Sequence, residues 1–235
     1  MQQIYTIPVN EAFDLCLEKP ECGCPLCVLY KKLQNDELDI ILGASMMEPD
    51  IRMKTNELGF CSSHFAMMLK RKRMLGMGLI LESHLAEVEK KLNARKPAVI
   101  GPLGADTDTL GRLGTSCYVC ERIKKNLDGM TATVVYLFES ERTFRDKFAA
   151  QRLFCLPHYT AMVAYASKKM NKKVFRDFLE VAHGIEKSYI EELENDVSWF
   201  CKKFDYRFDE EPWYNSKDSV PRAIKFLSSD QEDSQ

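Results

Sequence analysis

The chain has 235 residues, enough for one large domain or two small ones with cores of their own. Its 33 basic and 35 acidic residues leave a formal net charge of -2, which excludes any global pull towards nucleic acid or an anionic membrane, so such binding has to be local. No run approaches the roughly 20 apolar residues that span a bilayer, and Met1 to Pro8 lacks a basic region followed by an apolar core; the expectation is a cytoplasmic protein whose nine cysteines serve metal or thiol chemistry rather than disulfides.

Val9 to Glu18 reads as a short helix capped by Asn10, with Ala12, Phe13, Leu15 and Cys16 on its apolar side and Pro20 as its stop. Glu21-Cys22-Gly23 then turns the chain into Cys24-Pro25-Leu26-Cys27. Pro25 fits the first position of a helix, where its missing N–H costs nothing, and Leu26, Leu29, Tyr30, Leu33, Ile40 and Ile41 follow at helical spacing up to Gly43. A loop leads to a short helix opened by Pro49. Cys61-Ser62-Ser63-His64 starts the next helix, capped by either serine. It runs over Met67, Met68, Leu69 and Leu75, loosens at Gly76 and Gly78, and resumes with Leu81, Leu85, Val88 and Leu92.

Six Pro and Gly residues crowd residues 97–114, which read as a linker. Cys117-Tyr118-Val119-Cys120 opens a helix expected to break at Asp128-Gly129. Thr131 to Phe138 is rich in β-branched residues, yet its alignment with the first half favours helix. Phe144 and Phe148 continue an apolar face to Cys155-Leu156-Pro157-His158, the start of a helix over Met162, Val163 and Tyr165. After a break near Asn171, Phe175, Phe178, Ala182, Ile185, Tyr189, Leu193, Val197, Phe200 and Phe204 recur at steps of three and four, a buried face of about eight turns expected to pack across the two halves. Val220 to Leu227 forms a last short helix, and 228–235 is a polar, disordered tail.

The cysteine motifs organise this series. A Cys-x-x-Cys pair is followed by a Cys-x-x-His pair twice, with 33 residues between them in the first copy (28 to 60) and 34 in the second (121 to 154). The offset between copies is 93 residues at the first cysteine (117 minus 24) and 94 at the histidine (158 minus 64), which points to duplication. The sequence thus predicts an all-α protein of two tandem helical repeats, 1–96 and 115–227, each pinned by a Cys3His site. Cys24, Cys27, Cys61 and His64 form the first quartet, and Cys117, Cys120, Cys155 and His158 the second. Three thiolates and an imidazole are the ligands of a closed structural zinc site, so two Zn2+ per chain are expected, with an iron–sulfur cluster as second choice.

Other constellations weigh less. Cys-x-x-Cys at a helix start is also a dithiol redox arrangement, but the βαβ setting of such enzymes is missing. A full protein ligand set leaves no open position for catalytic water, and no His-Glu-x-x-His, nucleophile elbow or phosphate loop occurs, so no catalytic residue is assigned. His84 and His183 read as core or interhelix histidines, and Cys16 and Cys201 as small core residues. Cys22 neighbours the first motif by chance rather than replacing Cys24 as a ligand. Glu48, Asp50 and Arg52 are a candidate polar site in the first half. Lys70-Arg71-Lys72-Arg73 and Lys168, Lys169, Lys172, Lys173 are solvated helix ends, or an anion patch if the repeat sets them on one side.

Ile4-Tyr5-Thr6-Ile7-Pro8-Val9-Asn10-Glu11-Ala12-Phe13, Cys24-Pro25-Leu26-Cys27, Met47-Glu48-Pro49-Asp50-Ile51-Arg52, Thr55-Asn56, Gly59-Phe60-Cys61 with His64-Phe65, and the second pair of motifs together resemble an uncharacterised bacterial family, a domain of unknown function of about this length. The likeness covers nearly the whole chain. It implies a cytosolic bacterial protein and carries over no activity, substrate or partner. The expectation is therefore a non-enzymatic, zinc-stabilised helical binding or scaffold protein with a protein partner. A thiol or zinc redox sensor or oxidoreductase is the alternative, followed by a weak nucleic-acid binder.

Overall fold

A computed structural model of the chain describes residues 2–93 and 111–230, and among these every regular element is a helix. In chain order the α-helices are α1 (Thr6–Glu18), α2 (Pro25–Ile41), α3 (Pro49–Leu58), α4 (Ser62–Lys70), α5 (Met74–Asn93), α6 (Tyr118–Ser140), α7 (Arg142–Ala149), α8 (Leu156–Lys169), α9 (Lys172–Lys202) and α10 (Ser219–Ser228). Most of the expected linker and the tail beyond Asp230 lie outside the described residues.

The chain divides into two compact units. A terminal unit comprises Met1–Lys31 and Leu127–Gln235, and a central unit comprises Lys32–Asn126. These are not the two sequence halves: each unit takes segments from both, and the crossings fall inside α2 and α6. The long helix α9 lies wholly in the terminal unit and packs there on α7, α8 and α10.

The terminal unit is built on phenylalanine. Phe13 of α1 meets Phe144 and Phe148 of α7 at 5.0 and 6.0 Å between ring centroids, and Phe148 stacks on Phe154 at 4.7 Å. Phe138 of α6 and Phe178 of α9 close the cluster edge to face at 5.0 Å. All six rings are fully buried, and each such pair contributes about 0.5–1.5 kcal/mol beyond the burial of its area. Helix α9 begins where the Asn171 side chain accepts the Lys173 and Val174 backbone N–H groups at 3.1 and 3.0 Å. The expected apolar face is buried from Phe178 to Leu193, but Phe204 lies beyond the helix and is exposed. There the buried Lys203 ammonium donates to the carbonyls of Phe208, Asp209 and Glu211 at 2.6–2.8 Å and folds the following loop over the helix end.

Three local expectations are corrected. Asn10 is not a cap, because α1 already starts at Thr6; its side chain donates to the Thr6 carbonyl and accepts from Lys147. Helix α6 runs unbroken through Asp128-Gly129, since Met130, Val134, Val135, Leu137 and Phe138 bury one continuous face; a Cβ on Gly129 would lie 2.5 Å from the Tyr5 ring, so that glycine permits close packing. The break before α5 comes at residues 71–73, with Lys72 left-handed at φ 58°, and not at the glycines. Gly76 instead lets α5 approach the Leu42 carbonyl, 2.8 Å from where its Cβ would stand. The β-branched stretch from Thr131 is helical, as its alignment required.

The central unit packs the later turns of α2 with α3, α4, α5 and the first turns of α6. Leu38, Ile41, Phe60, Met68, Ile80, Val119 and Ile123 are its buried side chains of largest consequence. Buried Glu37 is paired with Arg122 at 3.0 Å.

Candidate metal centres

Each cysteine motif sits at a helix start. Cys24 precedes Pro25, the first residue of α2, and Cys27 lies on its first turn; Cys117 and Cys120 stand in the same relation to α6. Cys61 and Cys155 are the residues before α4 and α8, in extended conformation, with His64 and His158 on the first turns. Neither Ser62 nor Ser63 is the expected cap: Cys61 occupies the cap position and Ser62 begins the helix. Free N–H groups and the positive end of the helix dipole favour thiolate at all these places.

The structure brings all eight residues into two quartets, but with partners exchanged. Cys24 and Cys27 meet Cys155 and His158 in the terminal unit; Cys61 and His64 meet Cys117 and Cys120 in the central unit. The expected grouping within each sequence half is therefore wrong, and each centre draws one motif from either half. In each quartet the four ligand atoms lie within 4.8 Å of one another.

In the terminal quartet His158 Nδ1 lies 3.1 Å from Cys155 Sγ, 3.4 Å from Cys27 and 3.6 Å from Cys24, and Cys27 lies 3.5 Å from Cys155. In the central quartet His64 Nδ1 lies 3.1, 3.3 and 3.4 Å from Cys61, Cys117 and Cys120, and Cys61 lies 3.9 Å from Cys120. An ion bound tetrahedrally to sulfur and imidazole nitrogen has ligand-to-ligand edges of about 3.5–3.8 Å, so one ion fits each quartet.

The two centres differ in cover. Cys24, Cys27, Cys155 and His158 are all at most 5% exposed, whereas Cys61 is half-buried and Cys120 is exposed. The Asp230 backbone N–H donates to Cys27 Sγ at 3.4 Å. His158 Nε2 is buried with no hydrogen-bond partner among the described residues. His64 Nε2 faces the Gln34 side-chain amide at 3.3 Å, which fixes the ring so that Nδ1 points at the sulfurs. Ser116 Oγ donating to the Leu58 carbonyl at 2.6 Å and Tyr118 N–H donating to Gly59 at 2.9 Å hold the two central motifs side by side.

Electrostatics explains why these clusters suit a cation. Burial pushes the Cys24 thiol well above the ordinary thiol range, while hydrogen bonds from Cys155 and Cys24 hold Cys27 well below it. At Cys155 a hydrogen bond with Cys24 pulls down, but one with Cys27 together with burial prevails and leaves it at about 12. Burial and the closeness of the three sulfurs thus oppose their ionising together. In the central quartet burial raises Cys117 and pushes Cys120 up to about 12. A divalent ion makes three adjacent thiolates tolerable.

The remaining candidates fare differently. Glu48, Asp50 and Arg52 sit at the start of α3 with no hydrogen bond or ion pair joining their charged ends. Arg71 and Arg73 are engaged with Asp39, and Arg71 also with Asn35, so half of the first basic cluster serves the central unit. Lys168, Lys169, Lys172 and Lys173 are exposed in the terminal unit. His84 packs against Gly59, and burial lowers its basicity. His183 and Cys201 are exposed rather than in the core, whereas Cys16 is buried and pushed up to about 12, chiefly by that burial.

Sequence reasoning missed Gln34, the Asp230 backbone and Glu186. Glu186 is buried on α9, and its carboxylate accepts the Phe154 N–H at 2.9 Å, one residue before Cys155. Burial pushes its pKa up to about 7. A carboxylate beside Ile185 on the apolar stripe was the available signal.

Residues 1–234 match the model of a family of unknown function, DUF6062. No curated protein and no solved structure matches the chain. Among the described residues no helix is long and apolar enough to cross a membrane.

Proposed function

Because the chain belongs to the DUF6062 family, whose function is unknown and lends it no activity, we propose from the geometry that it is a non-enzymatic helical scaffold, stabilised by two structural zinc ions, that binds other proteins in the cytoplasm. The observation carrying this reading is the completeness of both quartets, each with four protein ligands gathered round one point. Such a set leaves no open coordination position, which suits a structural ion and not a catalytic one. Iron–sulfur clusters spread their ligands over two or more irons, and quartets this tight suit a single ion better.

Ion binding then contributes folding energy that small helical units lack. Met47, Met53, Leu69, Met74 and Leu75 of the central unit are more than half exposed, and soft, flexible side chains of this kind support binding to protein surfaces. The near-equal motif spacing supports descent from a tandem duplication whose ligand pairs exchanged partners.

Elemental analysis of protein purified without added metal tests the reading. Two zinc ions per chain are expected, together with loss of helical circular dichroism on chelation. Iron with acid-labile sulfide, or metal-free protein of unchanged helicity, overturns it.

A further inference from the structure

The terminal centre borders a cavity of about 780 Å³, the size of a small-molecule site. Three ligand residues, Cys24, Cys27 and Cys155, line it together with a fourth cysteine, Cys22, which is half-buried and outside the quartet. The three cysteines outside the quartets, Cys16, Cys22 and Cys201, all belong to the terminal unit, whereas every cysteine of the central unit is a ligand. A spare thiol beside a metal–thiolate cluster is therefore peculiar to one of the two centres.

The three ligand sulfurs are not equivalent. Cys27 accepts the Asp230 backbone N–H and Cys155 that of His158, and such bonds draw charge from sulfur and blunt it as a nucleophile. Cys24, the third ligand, differs from both in its place in the chain, two residues from the spare thiol of Cys22 on the wall of the same cavity. Only Gly23 separates it from Cys22. That glycine turns the chain at φ 74°, a conformation that favours glycine, and places Cys22 and Cys24 on either side of the turn.

We propose that Cys22 and Cys24 are an oxidisable pair, in which a small hydroperoxide entering the cavity joins them in a disulfide and so releases the ion of the terminal centre. The inference rests on that centre holding an ion. The metal-bound Cys24 thiolate attacks the peroxide; the O–O bond breaks, the departing oxygen takes a proton from solvent and leaves as water or alcohol, and Cys24 becomes a sulfenic acid. The Cys22 thiol then attacks the Cys24 sulfur, the S–S bond forms, the S–O bond breaks, and hydroxide leaves with the Cys22 proton as a second water. Two electrons pass from the two sulfurs to the peroxide. The ion, left with Cys27, Cys155 and His158, is lost to a competing chelator.

The test compares wild type with Cys22→Ser, a variant that touches no ligand, under stepwise hydrogen peroxide. Metal release is followed with a chromogenic chelator, and disulfides are mapped by proteolysis and mass spectrometry. About one equivalent of peroxide is expected to release one of the two ions with a Cys22–Cys24 link, and Cys22→Ser to slow that release about tenfold or more. A link from Cys22 to Cys16, no link at all, or equal release rates overturns the proposal. Metal content before oxidation separates the two readings: two-zinc protein without the link overturns this inference alone, and protein free of metal overturns both.

Discussion

Replacing Cys24 and His158 together by alanine removes two ligands from the terminal centre and none from the central one. A structural zinc site binds with about 10–16 kcal/mol, or about 2.5–4 kcal/mol for each of four ligands, so losing two weakens one centre by about 5–8 kcal/mol and at least a thousandfold. Gel-filtered double variant, held against a chelator of intermediate strength and analysed for zinc, is therefore expected to keep one ion per chain. Cys24→Ala with His64→Ala takes one ligand from each quartet, weakens each about a hundredfold, and is expected to lose both ions to the same chelator. Grouping by sequence halves demands the reverse, because Cys24 and His64 would then share one site while Cys24 and His158 would belong to two. One ion retained by Cys24→Ala/His64→Ala, with none by Cys24→Ala/His158→Ala, refutes the exchanged pairing.

Glu186 carries a pH signature. Its folded pKa of about 7 lies above the ordinary 4.5, so the folded chain holds the extra proton between these values, and stability falls as pH rises through that window. The full shift corresponds to about 3 kcal/mol, reduced to about 2 by residual solvent access. Glu186→Gln keeps an oxygen to accept the Phe154 N–H and is expected to gain about 2 kcal/mol over wild type at pH 8 but almost nothing at pH 4.5 in urea titrations; an equal gain at both contradicts the assignment. Gly76→Ala drives a methyl to 2.8 Å from the Leu42 carbonyl and is expected to cost about 1–3 kcal/mol in thermal unfolding, whereas Gly78→Ala, with open space on the same helix, is expected to gain up to about 1 kcal/mol. Lys203→Met leaves three carbonyls without their donor, at an expected cost of about 2–4 kcal/mol. The emission of Trp199 and Trp213 reports that local loss directly, since both rings pack in this loop.

Helix periodicity carried most of the fold: α9, α2 and α8 lie where the spacing of Phe, Leu and Ile places them. What periodicity could not reveal was which motif meets which. Pairing Cys27 with Cys155 closes a separation of 128 residues where Cys61 would have needed 34 (61 minus 27), and pairing Cys61 with Cys117 closes 56 where Cys120 to Cys155 would have needed 35. Because closure entropy grows only with the logarithm of length, the difference amounts to about 1–2 kcal/mol, which the packing of six phenylalanines easily outweighs. The glycines misled for a related reason. Gly76 and Gly129 are compatible with helix and are present because a neighbour approaches closely, a cause that leaves no trace in local sequence. Gln34 and Asp230 support the ligands through one contact each and follow no spacing rule.

The exchanged pairing gives the two units unequal routes to completion. The central unit is one continuous stretch, Lys32–Asn126, and its ligand motifs lie 53 to 59 residues apart, so every group its centre needs is present once residue 126 exists. The terminal unit is discontinuous. Its ligands are 128 to 134 residues apart, and its aromatic cluster joins Phe13 to rings from Phe138 onwards. Contacts of such long sequence separation form late, because the entropy of closing the chain is spent before they return anything. The first Cys-x-x-Cys pair therefore lacks two of the four members of its quartet until Cys155 and His158 exist.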